Sequence, residues 1–206
     1  MVSTVARKAP ASPVPVTQPN LPEKDKRISW EAFQKKYLSR EDGYKYEWVN
    51  GEVEKTKRSM DKTQLYILNN LMDFFLNLRV AGKVVGHLIA EPDLFFPDVH
   101  RRPDVVWLTT EQMYKMADGA NHVPTFVVEV ISTNDQSIRV EKKMNNYRNA
   151  GVKVVWQIFP DLKTVHVYAG QRLDAMTVCT GQQICSAAPV LPDFAMPVSE
   201  IFKKTL

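Results

Sequence analysis

FVVEVI, residues 126–131, decides the fold. Its apolar run is nearly continuous and of strand length, the pattern of a strand covered on both faces in the middle of a sheet. One charge interrupts it, Glu129. Working outward, residues 139–150 read as a helix that stops at Gly151. VKVVWQIF and KTVHVYA follow as strands on either side of Pro160-Asp161, and the chain to residue 190 reads as weaker strand and turn. Upstream, residues 83–90, 93–96 and 104–108 read as strands and 111–117 as a short helix. Leu65, Leu68, Leu71, Met72, Phe75 and Leu76 recur at the spacing of an amphipathic helix over 61–79, with Gly82 as its stop. YKYEWV-NG-EVEKTK (44–57) is a hairpin in which Asn50-Gly51 suits a type I′ turn. Ser29 is placed to cap a short helix through Leu38. This order of elements predicts an α/β or α+β fold, a sheet with helices packed on it.

Residues 1–27 carry no hydrophobic period and are rich in Pro, Ser, Thr and Lys, so they read as a disordered basic tail before a domain at 28–206. That tail holds five Lys and Arg against two acidic residues and thus +3 of the net +4. The body is nearly neutral, and any nucleic-acid contact must come from local patches. No apolar stretch is long enough to span a membrane, and the basic N-terminus lacks the apolar segment of a secretory signal; a cytoplasmic location is expected. Cys179 and Cys185 read as free thiols rather than a disulfide. His87, His100, His122 and His166 are scattered, which argues against zinc.

Three residues stand out chemically. Glu129 lies in a strand whose burial makes a lone carboxylate expensive unless it is paired or binds a metal. Asp104 follows Pro103 at the start of the run VVWL. On neighbouring strands the two would offer the hard oxygens that Mg²⁺ takes, with waters and a substrate phosphate completing the octahedron. The ordinary alternatives are a salt-bridged strand end for Glu129 and a plain Pro-Asp turn for Asp104. The third is Lys143. At about 100° per residue, with Val140 at zero, Met144 falls near 40°, Tyr147 near −20° and Lys143 near −60°, whereas Lys142 falls near 200°. Lys143 therefore runs along the apolar stripe, either snorkelling or reaching over the sheet to the carboxylates. A metal, an activated water and a nearby lysine are the parts of phosphodiester hydrolysis.

RRPDVVW (101–107), VVEVIS (127–132) and KxxxYxxAGVxxxW (143–156) resemble the Uma-two family of restriction-endonuclease-like proteins in the PD-(D/E)XK superfamily. YEWVNGEVE (46–54) resembles that family's opening motif and LPDFAMPVSEIF (191–202) its closing one. The resemblance spans roughly 28–202 and implies a restriction-endonuclease-like core, a mixed central sheet flanked by helices. It also implies that Asp104 and Glu129 hold Mg²⁺ (or Mn²⁺) and that Lys143 is the catalytic lysine, moved onto the helix from its usual place two residues after the Glu, where Ile131 stands. It brings Glu47 of the opening hairpin into the site. Arg139 stands where the family often has an acidic residue.

The implied activity is a Mg²⁺-dependent endonuclease acting on nucleic acid, with double-stranded DNA as the expected partner; the sequence does not separate DNA from RNA. A homodimer would suit the cutting of two strands with one site each. Lys55, Lys57, Arg58 and Lys62, and Arg101-Arg102, are candidate phosphate contacts or ordinary solvated surface. The competing expectation is a non-catalytic interaction module that keeps the fold, favoured if Asp104, Glu129 and Lys143 do not converge.

Overall fold

The computed structural model describes residues 27–57, 62–132 and 136–204. The expected tail lies outside them except for Arg27, whose side chain rests against Gly51.

The Ser29 hydroxyl accepts a bond from the Ala32 N–H at 3.2 Å and opens α1 (Trp30–Phe33). The chain continues as a π-helical turn over Gln34–Leu38, so the expected helix is present but changes pitch after one turn. β1 (Tyr44–Val49) and β2 (Glu52–Lys57) form the hairpin. Asn50 and Gly51 at its tip have φ of 50° and 91°, both positive as a type I′ turn requires. α2 (Lys62–Val80) follows, then β3 (His87–Ala90), β4 (Leu94–Phe96), β5 (Val99–Arg101) and β6 (Val105–Leu108). α3 (Thr110–Ala117) is held at its start by a reciprocal capping box between Thr109 and Gln112. β7 (Phe126–Val130), α4 (Ser137–Ala150), β8 (Val154–Phe159), β9 (Thr164–Ala169), β10 (Ala175–Thr180), β11 (Ile184–Ala187), β12 (Leu191–Pro197) and α5 (Val198–Ile201) complete the order.

The sequence reading is corrected in two places. The expected strand over 83–90 begins only at His87, and β5 was not foreseen at all. β5 is three residues long, follows a turn at Asp98 (φ 56°), and carries His100 and Arg101, polar residues that are nonetheless buried.

One sheet has the order β2-β1-β5-β4; the larger has the order β10-β9-β8-β7-β6-β3. Within the larger sheet only β7 and β8 pair in parallel, because α4 carries the chain from one to the other. FVVEV is buried throughout, as a central strand should be. Alternation divides the sheet's residues between two cores. Val105, Phe126, Val128, Val154, Trp156 and Ile158 pack with Ile67, Leu71 and Phe75 of α2 and with Phe194 of β12. Val106, Leu108, Val127 and Val155 pack with Met144 and Tyr147 of α4. Each such side chain contributes roughly 1.5–3 kcal/mol on full burial. Gly151, φ 89°, ends α4 as the left-handed cap that the sequence predicts, with the Gly151 and Val152 N–H groups bonding back to Tyr147 O. Cys179 and Cys185 are buried free thiols. No helix among the described residues is long and apolar enough to cross a membrane.

Candidate active site

The site follows from strand register. Val105 faces Val128 across β6 and β7, so continuing that ladder by one residue sets Asp104 opposite Glu129. Glu129 faces Gln157 on β8, and Gln157 faces His166 on β9. Directly opposite residues share a face. A polar row, Asp104–Glu129–Gln157–His166, therefore crosses the sheet on the side covered by α4. Glu129 and Gln157 are only 5% and 4% exposed. A cleft of about 240 Å³ opens above the row's first three members and is lined by Asp104, Glu129, Lys143, Glu47, Lys45 and Gln157 among others.

Each carboxylate is held separately. Asp104 accepts the Val130 N–H on Oδ2 at 2.7 Å and the Lys45 ammonium on Oδ1 at 3.0 Å. Glu129 accepts from Lys143 Nζ, 2.9 Å from Oε1 and 3.0 Å from Oε2, and from the Tyr147 hydroxyl. Lys143 also stands 3.4 Å from Glu47 Oε1. Glu47 is fixed in turn by the Arg102 N–H at 2.8 Å and by Arg101 Nη1 at 3.1 Å. The four residues named from sequence thus converge. The helical phasing also holds: Lys143 and Tyr147 point inward, Lys142 is exposed.

The charges follow from this packing. Burial alone would push the Lys143 ammonium down, but Glu129, Glu47 and Asp104 outweigh it and hold its pKa above the usual lysine value. Lys143 is therefore a fixed cation and proton donor in hydrogen bonds, not a base. Burial raises Glu129, and Lys143 does not fully offset it because Asp104 adds a like charge. Glu47 is buried too, yet Lys143, Arg101 and Lys45 hold it down at about 2. Burial and the Glu129 charge raise the Tyr147 hydroxyl well above its ordinary range, so it stays a donor.

Two sequence expectations change. Arg101-Arg102 was a candidate phosphate contact, but Arg101 is fully buried and bonded to Glu47, Glu54 and Asn146, while Arg102 pairs with Asp93 at 2.6 Å. Both are structural. Lys55 leans over the Tyr44 ring, 3.6 Å from its centroid, and Arg58 lies outside the described residues, as does the side chain of Lys62. Among the described residues, the exposed cations on the cleft are Lys57 and Arg139. Sequence reasoning also missed Lys45. The signal was present: Lys45 lies two residues before Glu47 on one strand, hence on the same face.

Among the described residues no group of three or more His, Cys, Asp or Glu is placed to hold a metal. The donor set suits a different kind of site. Asp104 and Glu129 offer hard oxygens in register, each already facing a cationic nitrogen, and Mg²⁺ needs only one or two carboxylates when waters and phosphate fill the remaining positions. The residues fit Mg²⁺ or Mn²⁺ and do not fit a closed zinc site.

Residues 30–199 match the model of the Uma2 family, described as "Putative restriction endonuclease". A search of curated proteins gives no match. Among solved structures, the chain is similar to one from Anabaena variabilis ATCC 29413 described as "a putative nuclease belonging to DUF820". The two are 17% identical, the match covers 85% of this chain and 97% of that one, and the TM-score is 0.69. At that identity the likeness speaks for the fold, the mixed sheet flanked by helices that the sequence led us to expect.

Proposed function

Because this chain belongs to the Uma2 family, we propose that it is a divalent-metal-dependent endonuclease that hydrolyses phosphodiester bonds of DNA. The observation that carries the reading is the convergence of Asp104, Glu129, Lys143 and Lys45 on one cleft. Asp104 and Glu129 would hold Mg²⁺ or Mn²⁺. When bound, such an ion neutralises charge on the phosphate and makes the attacking water more acidic.

The remaining work falls to the protein. Lys143, permanently charged, orients the water and stabilises the negative charge that builds on the phosphorane. Lys45 holds Asp104 in its rotamer and presents a second cation to a non-bridging oxygen. Glu47, locked by Arg101 and the Arg102 amide, positions Lys143. Gln157 closes the floor behind Glu129. Lys57 and Arg139 at the mouth hold flanking phosphates. A dimer, one site per strand, suits double-stranded substrate.

A second reading has one observation in its favour. Lys45 with Asp104, and Lys143 with Glu129, satisfy the carboxylates without a metal, as an interaction module that kept the fold would. One experiment separates the two: supercoiled plasmid with Mg²⁺, Mn²⁺ or EDTA, alongside calorimetric titration of each ion. The nuclease reading requires nicked or linear product with an ion and none with EDTA. A parent protein that neither cleaves nor binds either ion leaves the interaction module.

A further inference from the structure

The polar row does not end at the cleft. Past Gln157 it reaches His166, and there a second depression of about 450 Å³ opens, sharing Ile131, Ser132, Val140 and Gln157 with the first. Its floor is Phe159 and His166, neighbours on β8 and β9 whose rings lie 4.5 Å apart, with Tyr168 beside them. Leu162, 69% exposed, forms a rim on the β8–β9 turn.

The lining says what would sit there. Among the described residues it includes Glu141, whose Oε1 accepts from Arg148 at 2.6 Å, and Asp161, but no lysine or arginine, so it offers a phosphate no cation of its own. Aromatic and aliphatic walls with acidic and hydroxyl acceptors suit a flat heterocycle that carries amino donors. Burial holds the His166 imidazole below its usual pKa, so at neutral pH it presents a ring face without charge. Glu129 and His166 are two strands apart, roughly 10 Å at the usual strand spacing, within the reach of one nucleotide.

Resting on the nuclease reading above, we propose that this depression receives the unstacked base of the nucleotide beside the scissile phosphate, with preference for adenine or cytosine, whose exocyclic amino groups meet Glu141 and Asp161. The strand to be cut must then be single or locally opened, since a stacked and paired base cannot enter.

The test is binding without metal. Fluorescence anisotropy in EDTA compares 5′-labelled single-stranded dA, dC and dT heptamers with a duplex of the same length. The proteins are the parent, His166→Ala and Leu162→Glu; the last alters only an exposed turn and keeps the test decisive where removal of the half-buried ring disturbs the sheet. The expected result is single-stranded dA and dC bound more tightly than dT and duplex, and each variant weakened roughly tenfold on dA, the loss of one stacked base. The proposal is overturned if duplex binds as well as single strand, if the parent binds no single strand, or if Leu162→Glu stays within twofold of the parent. Because no ion is present and no cleavage is read, a failure of the nuclease reading leaves this outcome unaffected, and the two are scored separately.

Discussion

Lys142 and Lys143 carry the same charge on consecutive residues, yet only the second reaches the carboxylates. That contrast gives a clean control. Lys143→Ala should lose at least a hundredfold in cleavage while calorimetry still detects ion binding, because one electrostatic donor is worth about 10²–10³ in rate. Lys142→Ala should cleave like the parent, and equal damage from both would discard the helical-phase assignment. Asp104→Asn and Glu129→Gln should lose cleavage and ion binding together, with unchanged circular dichroism.

Glu47 makes a different demand. Its carboxyl titrates near 2 in the fold against an ordinary 4.5, so the folded state binds its proton less readily than the unfolded one. The stability it contributes, about 3 kcal/mol at 1.36 per unit, is present above pH 4.5 and lost as the pH falls toward 2. Denaturant titrations should place Glu47→Gln well below the parent at pH 7, with the gap reduced to roughly half by pH 3 and nearly closed only near pH 2. A gap that stays constant with pH would remove the charge argument.

At the scale of elements, the legible parts were those with a strong period or a definite punctuation. FVVEV, the α4 stripe and the Asn50-Gly51 turn all stand where the sequence put them. β5 was not legible because its burial depends on partners elsewhere in the chain: Arg101 is stabilised by Glu47, Glu54 and Asn146, none nearby in sequence. Lys45 was missed because hairpin lysines are usually solvated: strand alternation puts it on the face of Glu47, but only the fold brings Asp104 to 3.0 Å from it. Gly86 illustrates the same dependence. Its φ is 82°, and a Cβ there would stand 2.4 Å from Leu108 O and 2.7 Å from Trp107 Nε1. Gly86→Ala should therefore cost more than about 1 kcal/mol, from strain and from the clash with β6 together. A thermal melt checks it: an unchanged midpoint would mean that β3 shifts freely along β6.

For the whole molecule, the boundary of the body is testable. Ile28 bonds the hairpin twice: its N–H donates to Gly51 O at 2.8 Å, and its carbonyl accepts from Trp48 Nε1 at 3.0 Å. Removal of residues 1–26 should leave the melting midpoint within a degree or two. Removal through Ile28 should lower it measurably, since each lost bond is worth about 1 kcal/mol. Equal midpoints for the two truncations would show that Ile28 anchors nothing.

The parallel pairing of β7 with β8 across α4 has a consequence for the protein's own synthesis. The cleft draws Lys45 and Glu47 from the first hairpin, Asp104 from the middle of the chain, Glu129 from β7 and Lys143 from α4, and Gln157 of β8 closes its floor. Behind that floor, Trp156 stacks on Phe194, 5.3 Å between ring centroids. A nascent chain still short of β12 therefore holds the three carboxylates and both lysines but lacks Phe194, the ring that packs behind Trp156 of β8. Under the nuclease reading proposed above, a half-made copy lacks part of the packing that supports the cleft.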